Sequence, residues 1–169
     1  MSYKILKAIN MELSTKSINN AIQEIRRFKS QLRKTCLELV EAVAMEGAEI
    51  AKMQVASMEA VDTGELEQSI QGLFFPSERI GYVIADCPYA IYVEYGTGIA
   101  GEADPHPLAA EQWAYDVNQH GIEGWVYKSD KDGEFHWTIG YFSRPFMYNT
   151  MRWLEESAPD IMSKMLDQA

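Results

Sequence analysis

Any reactive centre in this chain of 169 residues would have to draw on three histidines, two cysteines and 25 acids. His106, His120 and His136 match neither HExxH nor the short His-x3-5-His spacing of zinc sites. Each has an acid close by in sequence (Asp104, Asp116 and Glu134), so folding could assemble a carboxylate–imidazole site. Ordinary hydrogen-bonded histidines are the simpler expectation, and a metal-dependent hydrolase built on them is the outlying one. The glutamates between residues 38 and 49 lack any Glu-x-x-His partner, so a di-iron bundle is not indicated. Cys36 and Cys87 form no CxxC pair, and Cys87 has no cationic neighbour in sequence to activate it. Both read as buried free thiols in a reducing compartment. A nucleophile elbow of the Gly-x-Ser-x-Gly type is absent. Gly96-x-Gly98-x-x-Gly101 fits GxGxxG, but Glu-Ala-Asp-Pro follows where a nucleotide-binding helix should begin, so the match reads as accidental. The sequence therefore assigns no catalytic residue, no cofactor and no metal ligand, and the expectation is a non-enzyme.

Composition bounds the alternatives. Hydrophobic residues make up 47% and charged residues 24%, a balance that supports one self-sufficient globular domain over residues 1–169. The net charge of −10 argues against a protein that grips phosphates with a basic face. It suits a surface past which DNA must move without sticking. Residues 1–13 hold no apolar run of signal-peptide length, and no segment approaches the ~20 apolar residues of a membrane span. The expected setting is the cytosol, or a larger particle assembled there, with no membrane contact.

Periodicity supplies the framework. Residues 3–13 read as an opening strand. Ser17 reads as the N-cap of a long helix in which Ile18, Ile22, Ile25, Leu32, Cys36, Leu39, Val43 and Ile50 recur at three- and four-residue steps, up to about Ser57. Forty helical residues would span about 60 Å, against about 40 Å for a compact domain of this size. The helix must therefore break, near Phe28 to Gln31, or project. Asp62 or Thr63 is expected to cap a short turn through Ser69. Ser69–Phe75 and Arg79–Asp86 around Pro76-Ser77 read as an antiparallel hairpin. Tyr89–Tyr95 reads as a short helix stopped by Gly96, and Gly98–Pro107 as a mobile loop. Leu108–His120 is ambiguous between helix and irregular chain. Trp125–Tyr127 and Phe135–Ile139 flank Lys131-Asp132-Gly133 as a second hairpin. Pro145 opens a last helix, expected to be interrupted at Ser157 and Pro159. The sum is an α+β fold: a long N-terminal helix on a mainly antiparallel sheet, with a C-terminal helix.

Three short clusters rise above this background. Asp62-Thr63-Gly64-x-Leu66-x-x-Ser69-Ile70 joins a tight turn to a strand. Tyr89-Ala90-x-Tyr92-Val93-Glu94-Tyr95-Gly96-Thr97 is an aromatic helix ended by glycine. Arg144-Pro145-Phe146 combines a cation, a helix-starting proline and an apolar anchor. Taken singly, they are a turn, a C-cap and an N-cap.

In this order the three clusters resemble the head–tail joining, or tail-completion, proteins of long-tailed bacteriophages and prophages, also described as minor capsid or tail components. The resemblance spans about Ile18 to Met151. Gly124-Trp125-Val126-Tyr127 with its Asp-Gly hairpin fits it too, whereas Glu67-Gln68 departs from a stretch that is often basic or amide-bearing. The resemblance implies a neck protein of the virion, made in the bacterial host cytoplasm. It would form a ring, of six copies as the family suggests, between head-completion or connector proteins and the tail, with DNA passing nearby without specific binding. A tail terminator or minor capsid protein is the nearest alternative. Tyr92, Tyr95, Trp113, Trp125, Trp137 and Arg144 are of the types that anchor interfaces, and Phe146 is expected in the core.

Overall fold

In the computed structural model, residues 14–58, 64–109, 113–116, 119–120, 123–129 and 132–168 are described. The expected strand over residues 3–13 lies outside them. So do Asp62 and Thr63.

The three- and four-residue spacing produces one uninterrupted helix, α1 (Thr15–Ser57). It does not break near Phe28. Its cap is Ser14 rather than Ser17: the Ser17 backbone N–H donates to Ser14 Oγ at 3.3 Å, and the Ser14 N–H donates back to Ser17 Oγ at 3.3 Å. This reciprocal arrangement satisfies two of the amides that a helix start leaves open. With 43 residues, α1 is about 65 Å long. Its C-terminal half is buried through Ala44, Gly47, Ala48, Ala51 and Val55, whereas every residue from Ile22 to Lys34 is exposed. Cys36 is accordingly exposed rather than buried, and only Cys87 is a buried thiol.

Small residues set how closely the buried half lies on its neighbours. Helix α2 (Glu65–Ser69) follows Gly64, which is itself the N-cap, and leads into β1 (Ile70–Phe75). β1 pairs antiparallel with β2 (Ile80–Ala85), from Ile70 opposite Ala85 to Phe75 opposite Ile80. This is the expected hairpin. A Cβ on Gly72 would come within 2.5 Å of the Ala44 carbonyl oxygen, and one on Gly47 within 2.9 Å of Leu154. Helix and hairpin thus touch nearly backbone to backbone, and the Leu154 side chain of the C-terminal helix packs onto Gly47.

The next segments are shorter. Helix α3 (Ala90–Tyr95) ends at Gly96, as expected, and α4 (Gly98–Ala103) follows at once. Gly98–Pro107 is therefore not a mobile loop. Gly98, Ala100 and Gly101 are buried, and lacking bulk they serve close packing rather than flexibility. β3 (Trp125–Lys128) and β4 (Phe135–Thr138) form the second expected hairpin, with Val126 opposite Trp137. β5 (Gly140–Tyr141) bridges back to Thr97 and Gly98. Among the described residues, β1–β2 and β3–β4 are two separate antiparallel two-stranded sheets. Helix α5 (Phe146–Gln168) closes the fold and runs through Pro159 without interruption. Pro159 is exposed, so water can take the carbonyl that its missing N–H leaves unpaired.

The fold is α+β, and its core is small. Ala48, Ala51 and Val55 of α1 meet Leu66, Ile70, Cys87, Ala90 and Phe146. Phe146 is 1% exposed and Leu66 2%. No helix among the described residues is long and apolar enough to cross a membrane.

Candidate functional site

Glu94 sits on the buried face of α3, one turn after Ala90, and is 7% exposed. An acid placed there needs partners, because an unpaired buried carboxylate is costly. It has three. The Met147 N–H donates to Oε2 at 2.8 Å and the Tyr148 N–H to Oε1 at 2.9 Å. His106 Nε2 lies 2.9 Å from Oε1. The Leu108 N–H donates to His106 Nδ1 at 3.0 Å, so the ring proton is on Nε2 and is donated to Glu94. A single carboxylate thus caps the first turn of α5 and holds the loop after α4.

The cap acts together with backbone bonds between the same segments. The Arg144 N–H donates to the Val93 carbonyl at 2.9 Å, and Ser143 Oγ donates to the Glu94 carbonyl at 2.8 Å. The Asn149 N–H donates to the Pro145 carbonyl at 2.9 Å, so Pro145 does open the helix. Because Phe146 has its side chain in the core, the Arg144-Pro145-Phe146 turn is fixed by Glu94 on one side and by α1 and Leu66 on the other. Ser69 closes the first cluster locally, its Oγ donating to the Leu66 carbonyl at 2.8 Å. Leu66, Ala90 and Phe146, one from each cluster, share one core.

Glycines make the crossing possible. Gly96 has φ +76° and Gly140 φ +99°, in the region that side chains disfavour. A Cβ on Gly140 would strike the Thr97 carbonyl, and one on Gly96 would lie 2.7 Å from the Ser143 nitrogen. The Tyr141 N–H donates to Thr97 Oγ1 at 3.3 Å across the same crossing. The Gly96–Gly101 stretch is therefore filled by the protein's own chain at Tyr141 and Ser143 rather than shaped as a phosphate cradle.

Aromatic rings wrap the buried pair. Tyr95 lies 4.2 Å from the His106 ring, Tyr148 meets His106 edge-on at 5.5 Å, and Trp113 lies 4.9 Å from Tyr95. Trp113 Nε1 donates to the Gly96 carbonyl at 3.2 Å. Of the aromatic residues expected at interfaces, Tyr95 and Trp113 thus belong to an internal stack. Trp125 stacks on His120 at 4.4 Å. Tyr92 and Trp137 remain 40% and 63% exposed. Tyr89 is the residue that caps α3.

The histidines pair one by one with carboxylates: His106 with Glu94, His120 with Asp116, and His136 with Asp132 at 2.9 Å. Two of the three partners differ from the sequence neighbours expected. No group of three or more His, Cys, Asp or Glu among the described residues could hold a metal ion. Asp132 accepts the Glu134 backbone N–H at 2.9 Å. Chiefly through that bond, and further through His136 and Ser129, its carboxyl is held below the ordinary value of 3.8.

The Glu94–His106 link is what sequence reasoning missed. Its signal was an acid placed one turn after Ala90 on the apolar side of a short helix. The arrangement positions one helix and one loop, and its polar atoms are turned inward on each other. Comparison of the chain with protein-family models, with curated proteins and with solved structures finds no match in any of the three.

Proposed function

We propose that this chain is a structural subunit of the neck of long-tailed bacteriophages, joining the filled head to the tail, and that it performs no catalysis. One observation carries the reading: described residues from each of the three ordered clusters are used on each other. Glu94 of the second cluster caps the helix opened by the third, and Leu66 of the first packs in the core with Phe146. A set of motifs committed to internal architecture fits a protein selected for shape and contact.

The charge supports the same reading. A ring of six would carry about −60 from −10 per subunit, a field that keeps DNA moving along a channel rather than adhering to its wall. Exposed Tyr92, Trp137 and Phe135 supply the apolar anchors a ring subunit needs on its contact surfaces. The partners are then further copies of this chain, the connector proteins above and the tail proteins below, at the neck of the virion.

Electron microscopy of particles assembled without this gene tests the proposal. Separate filled heads and free tails are expected. Intact virions in normal numbers would refute it.

A further inference from the structure

The net charge of −10 conceals a segment of opposite sign. Between Thr15 and Thr35 lie six of the 15 cations and one of the 25 acids, a net of +5, so the remainder of the chain carries −15. All six cations are exposed. Lys34 pairs with Glu38 at 3.2 Å, an exposed contact worth little. Among the described residues Arg26, Arg27, Lys29 and Arg33 form no ion pair.

Their placement on α1 is regular. Arg26 and Arg33 form one row, two turns and about 10.5 Å apart, and Lys16, Arg27 and Lys34 form a second row about 100° around the axis. Asn19, Gln23 and Ser30 fall between the rows and are exposed. Glu24, the one acid of the segment, lies on the far side with Ile18, Ile25 and Leu32, and Lys29 and Ile22 mark the border between the two sides. Two cation rows flanking a line of amide and hydroxyl groups match the major groove of duplex DNA. That groove is about 12 Å wide, with phosphates along both walls and hydrogen-bonding base edges on its floor. An anionic bilayer matches less well: it takes a helix by its apolar side, which would turn Lys16, Arg27 and Lys34 away from the lipid. The acidic body does not cancel the attraction. Arg26 stands about 18 Å along the helix from Glu38, the first acid of α1 toward the body, and charges are screened over about 8 Å at physiological salt.

We infer that the outer half of α1 is a duplex-DNA contact, lying along the major groove with its two cation rows on the phosphates of either strand. The contact is electrostatic and selects no particular sequence. It stands on this half of α1 alone, so the neck reading neither supplies it nor falls with it. The acidic body keeps DNA from adhering elsewhere, which leaves the outer half of α1 to hold it.

Fluorescence anisotropy of a labelled duplex of arbitrary sequence, titrated with the full chain at roughly 50–200 mM salt, tests this. The expected dissociation constant is about 10⁻⁴–10⁻⁶ M at physiological salt, and the slope of log K against log salt is about −4.5 for five phosphates neutralised. Arg26→Gln with Arg33→Gln, and separately Arg27→Gln with Lys34→Gln, each remove two of these contacts. Each pair, melting with the parent by circular dichroism, should flatten the slope by about 2 and weaken binding at least ~10-fold. Lys128→Gln with Lys164→Gln takes the same charge from exposed positions on the body and should change neither quantity. Single-stranded DNA of the same length, lacking the second row of phosphates, should bind more weakly. A parent chain that does not bind duplex at the lowest salt, arm variants that bind as the parent does, or a preference for single strands would overturn the contact. Tighter binding to vesicles of roughly one-third phosphatidylglycerol than to duplex would overturn it in favour of a membrane surface.

Discussion

Replacing Glu94 by alanine removes three hydrogen bonds in one step, and its cost follows from who is left behind. The Met147 and Tyr148 amides lose their acceptor. At the start of a helix that loss costs typically ~1 kcal/mol, reaching about 2 in well-packed proteins. His106, 4% exposed, keeps an Nε2 proton with no acceptor, which adds about 1–3 kcal/mol for a buried donor. The carboxylate that accepted them is also lost from beneath the aromatic stack. The total expected is about 2–5 kcal/mol, a large share of the roughly 5–15 kcal/mol by which domains are stable. For a domain of this size that lowers the melting temperature by roughly 4–20 °C. Glu94→Gln is the informative companion. Its carbonyl oxygen can keep the Tyr148 and His106 bonds, but its amide meets the Met147 N–H donor to donor, for about 1–2 kcal/mol. Urea unfolding of the purified variants checks the order, with alanine worse than glutamine and glutamine worse than the parent. An alanine variant within 1 kcal/mol of the parent would refute the view that Glu94 organises the junction.

Other outcomes follow from the same geometry. Phe146→Ala should cost about 3–5 kcal/mol, because the ring is 1% exposed in the core; denaturant unfolding reads this directly. Gly140→Val should fail to give a protease-resistant fold, since its Cβ would strike the Thr97 carbonyl at φ +99°. Pro159→Ala should raise stability by about 1–3 kcal/mol by restoring a helix bond, seen as a higher melting temperature and more helical circular dichroism. Asp132 should titrate below 3.8 by NMR, held there by the Glu134 N–H. Its folded value is depressed, so its contribution is complete above 3.8 and is lost as pH falls through the lower folded value. Asp132→Asn should flatten that acid limb.

Much of the fold was legible because local rules and tertiary packing agreed. The three- and four-residue spacing gave α1, turn signals between β-rich stretches gave both hairpins, and Gly96 and Pro145 marked the end of α3 and the start of α5. The misses share a cause. Gly98 and Gly101 were read as flexible when a neighbouring strand lies against them. Pro159 was read as a break although its carbonyl partner is on the solvent side. Ser17 was taken for the cap when it is the second half of a box with Ser14. The long helix proved continuous, and only packing could decide between a break and a projection. At the site, Glu94 was visible as a residue but its partners were not. His106 is 12 residues away and Tyr148 54, separations at which one sequence carries no pairing signal.

The claim that this chain joins heads to tails is tested most directly by restoring what its loss removes. Purified protein, added to an extract holding filled heads and free tails made without the gene, should raise the plaque count by orders of magnitude and yield joined particles under the microscope. Phe146→Ala protein, if unfolded, should not. An extract whose titre does not move on adding folded protein, its heads and tails still apart, would contradict the account.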